Sequence, residues 1–385
     1  MKKTFLGLIL LLAVIVAALR LVPGVLEASM NQVLVHDAYP VSDADREFHN
    51  SLIVADLHAD STLWNRDLRS RGGRGHVDLP RLREGNVAIQ SFTFVTKTPA
   101  GMNYETNDSD ARDNITLLAL VQAWPFATWA SLTERALFQA QKLTAIAEYH
   151  PQELRILRSA KDVQALLSAR AEGAKTVGAL LGVEGAHALD GSLANVDRLH
   201  SAGVRMMGLH HFFDNAVGGS LHGTGSEGLS DFGRQVVQRM DELRMIIDLA
   251  HSSEQSVRDV LAQTDRPLIV SHTGFQGHCP TPRNISDNLM QALAARGSLI
   301  GVGFWDAAVC KVSPEGIAEA IEYGIELVGV EHVALGSDYD GSTTVAFDVS
   351  ELAVLTAALR ARGIADADIA KVMGGNQARF LRENL

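Results

Sequence analysis

Residues 54–60 read Val-Ala-Asp-Leu-His-Ala-Asp, an apolar run that ends on His58-Ala59-Asp60. In a β-strand, residues two apart project to the same face. His58 and Asp60 therefore present an imidazole and a carboxylate together at a strand's end, and both are good ligands for a divalent metal such as zinc. Taken alone, His-x-Asp also reads as a strand followed by a polar turn. The rest of the chain decides between the two.

Other apolar runs stop in the same way. Residues 176–183 lead to Glu184, 204–209 to His210-His211, 245–250 to His251, 267–271 to His272, and 332–336 to Asp338. With 52–57, 87–95 and 299–304 the count is eight strands. Apolar residues at helical spacing fill most of the intervals, over 43–50, 160–171, 193–202, 232–243, 256–263, 287–296 and 314–323, with two more helices at the end. Residues 115–149 form a long helical stretch interrupted by Pro125, and 97–115 are loop-like. Strands alternating with helices predict an α/β fold with a parallel sheet. Eight units suit a closed (β/α)8 barrel, whose active sites lie at the C-terminal ends of the strands. An open doubly wound sheet is the alternative, but no Gly-x-Gly-x-x-Gly follows the first strand.

In a barrel, these strand ends converge on one mouth. Burying imidazoles and carboxylates together costs several kcal/mol unless they pair or bind metal. Two metal ions sharing a carboxylate satisfy the group and activate a water as nucleophile.

The 385 residues are 46% hydrophobic and 21% charged, enough for a sizeable core. Net charge is −11 with no basic block, which argues against a nucleic-acid partner. Cys279 and Cys310 are the only cysteines. Their spacing matches no zinc module and sequence does not place them close together, so they read as two unpaired thiols. At the N-terminus, Lys2 and Lys3 precede an uncharged run from Thr4 to Leu19, followed by Arg20 and Pro23-Gly24. The run is short against the roughly 20 residues of a membrane span. It suits a signal-peptide core, although no clear Ala-x-Ala site follows. Two lysines ahead of it hold that end in the cytoplasm. Residues 1–29 are read as a signal peptide or membrane anchor, 30–44 as a connector, and 45–385 as one exported catalytic domain, periplasmic or otherwise extracytoplasmic.

The ordered motifs carry a family resemblance. DLHAD, HVDLPRLREGNV, GVEGAH, GVRMMGLHH with DN, FGRQVV, MIIDLAHSS, PLIVSH, RN and GSDYDG follow one another over residues 50 to 385. This set resembles the membrane dipeptidase (renal dipeptidase) family of zinc metallopeptidases, within the amidohydrolase superfamily. The resemblance implies a (β/α)8 barrel with two zinc ions that hydrolyses dipeptides, including some with a D-residue, through a metal-bridging hydroxide. It implies that His58 and Asp60 hold the first ion, that Glu184 bridges both, and that His251 and His272 hold the second. His211 would orient the scissile carbonyl and its developing oxyanion. Arg283 would bind the substrate carboxylate. Asp338 would take a proton from the water and return it to the leaving amine. A homodimer is implied as well. The N-terminal hydrophobic segment departs from the family's lipid attachment at the C-terminus, and the segment between the second strand and Glu184 is long for the family.

The remaining polar residues read as structural. His210 should face away from His211, and His187 should stand behind Glu184. His76, His222 and His278 lie in predicted loops and read as surface residues. Asp340 supports the loop after the last strand, Asp214 and Asn215 shape the loop after His211, and Asp56 is a buried polar partner. Two other functions are consistent with the chain: a related amidohydrolase acting on N-acyl amino acids, or a catalytically silent binding barrel. The silent barrel should have lost a ligand or Asp338, and no such loss is seen.

Overall fold

The computed structural model describes residues 21–225 and 227–385. The hydrophobic run from Thr4 to Leu19, and with it most of the signal or anchor segment, lies outside the described residues. Eight strands form the barrel: β1 (Val54–Ala59), β2 (Val87–Val95), β3 (Val177–Glu184), β4 (Val204–Gly208), β5 (Ile246–Asp248), β6 (Ile269–Thr273), β7 (Leu299–Val302) and β8 (Val333–Leu335). Each pairs in parallel with the next in sequence. Leu335 of β8 pairs with Asp56 of β1 and closes the ring. β1, β2 and β3 are buried at every position. That burial is why they read as nearly continuous apolar runs and not as alternating ones.

Helices begin where the sequence supplies caps. Ser42, Asp78, Ser159, Ser230 and Ser253 each accept a hydrogen bond from the backbone N–H three residues on. Ser313 does the same with Pro314 at the first helical position, where a missing N–H costs nothing. The apolar faces of these and the later helix Ala353–Ala361 (Val236 and Val237, Ile317 and Ile321, Leu355 and Leu359) pack with Phe92, Val183, Ile247 and Ile300 of the strands in one buried cluster.

Some details depart from the sequence reading. The stretch 115–149 breaks at Pro125 as expected, but the break is wider than one residue: helices Asn114–Val121 and Leu132–Tyr149 flank a 3-10 turn Phe126–Trp129. Pro125 lacks the N–H and its ring excludes a continuous helix. A short strand Leu154–Ile156 adds to the edge of β3. Gln32–Val33, expected in a connector, pairs with Thr344–Val345 beyond β8. Residues 21–30 are helical. Cys279 and Cys310 form a disulfide, not two free thiols, because the loops after β6 and β7 bring their Cα atoms to 5.6 Å. His76 and His222 are buried, not at the surface. His76 is held by Asp340: its N–H donates to Asp340 Oδ1 (2.6 Å) and the Asp340 N–H donates to His76 Nδ1 (3.0 Å). His222 Nδ1 lies 2.8 Å from the Tyr104 carbonyl, so the loop at 97–115 covers it. His278 is only half-buried, as a loop residue should be.

Candidate metal centre

The strand ends converge as the barrel geometry requires. Glu184, the last residue of β3, sits at the centre. Its Oε1 lies 3.2 Å from His251 Nε2, 3.3 Å from His272 Nε2 and 3.6 Å from His58 Nε2, and its Oε2 lies 3.3 Å from His211 Nε2. His58 Nε2 also lies 3.4 Å from Asp60 Oδ1 and 3.8 Å from Asp338 Oδ1. Three overlapping groups result: His58 with Asp60 and Glu184; Glu184 with His211 and His251; His58 with His272 and Asp338. Within each, potential ligand atoms lie within 4.8 Å of one another.

Hydrogen bonds behind the cluster fix which ring nitrogens face it. Ser271 Oγ donates its one proton to Asp248 Oδ2 (2.6 Å). It lies 3.1 Å from His58 Nδ1 and 2.8 Å from His272 Nδ1. With the hydroxyl proton committed, both imidazoles must donate from Nδ1 to the hydroxyl's lone pairs. Their Nε2 lone pairs then point into the cluster. His211 Nδ1 faces the Lys97 carbonyl at 3.3 Å, to the same effect. His272 Nε2 and His251 Nε2 stand 3.0 Å apart beside the same carboxylate oxygen. His58 Nε2 and Glu184 Oε2 are buried without a hydrogen-bond partner.

Such a collection of lone pairs calls for positive charge. Burial alone would lower the His58 imidazole, but Asp60 and then Glu184 outweigh it and push it up to about 10. A proton is thus pressed onto His58 Nε2, where a cation would stand. Burial pushes the Glu184 carboxyl well above its usual range, with the Asp60 charge adding to the rise. Burial also raises Asp338 to about 8, against the pull of His58. His211 falls to about 4, mainly through burial, and His251 and His272 are driven well below the usual imidazole range for the same reason. Neutral imidazoles and carboxylates in a buried cluster are the donor set of a divalent metal site.

Asp338 has φ of 59°, in the left-handed region that Asp tolerates better than most residues. Arg283 is buried, not a surface arginine. Its guanidinium donates to the carbonyls of His272 (2.6 Å) and Ala250 (3.0 Å) and lies 5.3 Å from the Trp305 ring centre. Glu184, His211, His251, His272, Arg283 and Asp338 border one cavity of about 360 Å³, within the usual range of small-ligand sites.

All eight sequence-predicted site residues therefore meet at one mouth. His211 stands as near to Glu184 as His251 and His272 do. His210 turns away, as expected, and its Nδ1 lies 3.0 Å from Ser252 Oγ. Asp56 accepts from Gln90 and Ser337. Sequence reasoning missed Asp248, Ser271, Tyr104 and Thr93, whose hydroxyl donates to Asp60 Oδ1 (2.6 Å). Asp248 had a signal, an acid inside the apolar run before His251. Ser271, Tyr104 and Thr93 had none.

A family model described as Membrane dipeptidase (Peptidase family M19) matches residues 43–384. Dipeptidase tcpJ of Claviceps purpurea is 29% identical over 318 residues, covering 80% of this chain and 69% of the relative. Among solved structures, the probable dipeptidase PvdM from Pseudomonas aeruginosa superposes with a TM-score of 0.72 at 21% identity, over 88% of this chain and 97% of that one. A metallopeptidase from Rhodobacter sphaeroides, liganded with a phosphinate mimic of the dipeptide L-Ala-D-Ala, superposes at 0.68 with 24% identity, over 87% and 99%.

Proposed function

The chain belongs to the membrane dipeptidase family and is a metal-dependent dipeptidase, and from that premise we propose that its strand-end cluster holds two zinc ions bridged by Glu184. In this reading His58 and Asp60 bind one ion and His251 and His272 the other. The observation that carries it is the set of inward Nε2 lone pairs and carboxylate oxygens, 3.0–3.8 Å apart, with the Ser271 hydroxyl fixing one imidazole of each pair. When bound, the ions supply Lewis acidity at the scissile carbonyl and a nucleophile at neutral pH.

The protein's own groups do the rest. Asp338 takes a proton from the attacking water and returns it to the leaving amine. Burial raises its carboxyl to about 8, and bound cations would lower it again, toward the range a general base needs. His211 meets the carbonyl oxygen. Its outer bond to Lys97, at 3.3 Å, is longer than those of His58 and His272. With Nδ1 donating to the Lys97 carbonyl, the ring presents Nε2 to the cavity and orients the scissile carbonyl from there.

Arg283 is fixed by two backbone carbonyls and the Thr273 hydroxyl and borders the cavity. A guanidinium grips a carboxylate through two parallel hydrogen bonds. The substrate's free C-terminus meets it, which leaves room for one residue between that carboxylate and the scissile bond. The mimic held by the Rhodobacter sphaeroides peptidase supports including dipeptides with a D-residue among the substrates. The disulfide, together with the N-terminal hydrophobic run, supports a working place outside the reducing cytoplasm.

The test is a panel of free and C-terminally amidated dipeptides with wild type, Arg283→Lys and Arg283→Ala. Wild type should cleave the free dipeptides and hardly touch the amides. Both variants should lose most kcat/KM on free dipeptides, and the preference for the free form should shrink in Arg283→Ala. Equal cleavage of free and amidated dipeptides by wild type would refute carboxylate capture.

A further inference from the structure

The metal cluster forms the polar floor of the cavity, and a different part of the chain builds its roof. Val22, Leu26 and Met30, on one side of the helical residues 21–30, line the cavity with Trp64, Ile115 and Leu118. The spacing of four residues places the three on one helix face. This helix is held in place by charge. Glu27, only 1% exposed, accepts from Arg66 Nε and Arg74 Nε, each at 2.6 Å, and Arg66 also pairs with Asp340. The chain that follows is tied to the loop carrying Asp338. Asn31 Oδ1 accepts from Ser342 N–H (2.8 Å), and Gln32–Val33 pairs with Thr344–Val345.

An apolar roof over a polar floor recognises a molecule with two different ends. We infer that residues 21–31 are a fixed wall of the substrate pocket that selects dipeptides carrying a bulky apolar side chain. The inference rests on the dipeptidase reading and adds a substrate class to it. The peptide's charged ends lie toward the cluster and Arg283, while its aliphatic or aromatic side chain lies against Leu26 and Met30. Cleavage of a leader at residue 29 would remove Glu27 and most of the wall. The working enzyme therefore keeps residues 21–31.

The experiment compares kcat/KM for Leu-Gly with Ala-Gly, and for Gly-Leu with Gly-Ala, in the full-length, metal-loaded enzyme. Variants are Leu26→Ser, Met30→Ser, Glu27→Gln and, as a control on the outer side of the helix, Val25→Ser, whose parent residue is 69% exposed. Removing several methylenes of pocket contact should cut the leucine-to-alanine ratio about tenfold for one of the two pairs in Leu26→Ser and Met30→Ser. Glu27→Gln, which loosens the helix without touching the cavity, should lower the same ratio in part, and Val25→Ser should keep it. An unchanged ratio in both Leu26→Ser and Met30→Ser overturns the inference, as does an equal fall in Val25→Ser. If wild type cleaves no dipeptide, the proposed function falls and takes this inference with it. If it cleaves all four with ratios that no variant changes, only the inference falls.

Discussion

Replacing Ser271 with alanine should weaken binding of both proposed metal ions at once, because its hydroxyl stands behind a histidine of each. Its hydroxyl donates to Asp248 Oδ2 (2.6 Å) and accepts from His58 Nδ1 (3.1 Å) and His272 Nδ1 (2.8 Å). His58 belongs to one proposed ion and His272 to the other. In Ser271→Ala both rings lose the acceptor that fixes their tautomer and their plane. Asp248 keeps two backbone donors, Ser271 N–H (2.9 Å) and Ala250 N–H (3.1 Å), so the strand end should hold. Loss of such an outer partner costs about 10–100-fold in metal affinity. Each proposed ion has one ring that loses this partner, so that is about 1.4–2.8 kcal/mol for each ion. The assay is zinc competition against a chromophoric chelator at fixed pH, with circular dichroism to confirm that the variant is folded. Both binding steps should weaken. If a folded variant binds both ions within twofold of wild type, or only one step moves, the shared hydroxyl does not orient the two histidines.

Other perturbations follow from the same geometry. Asp338→Asn keeps the shape but removes the proton acceptor, so kcat should fall about 10²–10⁴-fold with little change in KM; near-normal kcat would move the role elsewhere. His49 is buried between Thr356 Oγ1 (2.8 Å) and the Gly85 carbonyl (3.1 Å), and burial lowers its imidazole from the ordinary 6.5. The unfolded chain therefore binds its proton first, and stability should fall as pH drops below about 6.5. Urea unfolding of the wild type and of His49→Gln between pH 7.5 and 5 checks this, since the variant should show the shallower slope. Opening the Cys279–Cys310 bridge, which spans 31 residues, with the double change to serine should cost about 3–4 kcal/mol by loop-closure entropy. A midpoint unchanged from the oxidised wild type would contradict that.

The barrel was legible because its strands are buried on both faces and end abruptly on titratable residues. The expected range 87–95 coincides with β2, and Glu184 and His272 lie in the last two residues of β3 and β6. The floor of the site was legible for the same reason, since strand ends of a closed parallel barrel share one mouth. What lay hidden depends on partners remote in sequence. Ser271 is 213 residues from His58, and His76 is 264 from Asp340. No local pattern marks such pairs. The two cysteines read as unpaired because nothing in their neighbourhood shows that two barrel loops approach. The roof was the least legible part. Residues 21–29 read as the tail of a leader and 30–31 as the start of a connector; the ion pairs of Glu27 with two arginines of a distant loop, and the lining of the cavity by Val22, Leu26 and Met30, place them beside the pocket.

On the proposed reading, the strand-end cluster is a two-metal centre bridged by Glu184. Metal analysis of purified wild type and of Glu184→Ala, with dipeptide turnover measured before and after chelation and zinc return, tests it most directly. Two zinc ions per chain in wild type, activity lost on chelation and regained with zinc, and a lowered metal count with no turnover in Glu184→Ala are the predicted results. Two tightly held ions in Glu184→Ala, or full dipeptidase activity in metal-stripped wild type, would contradict the account.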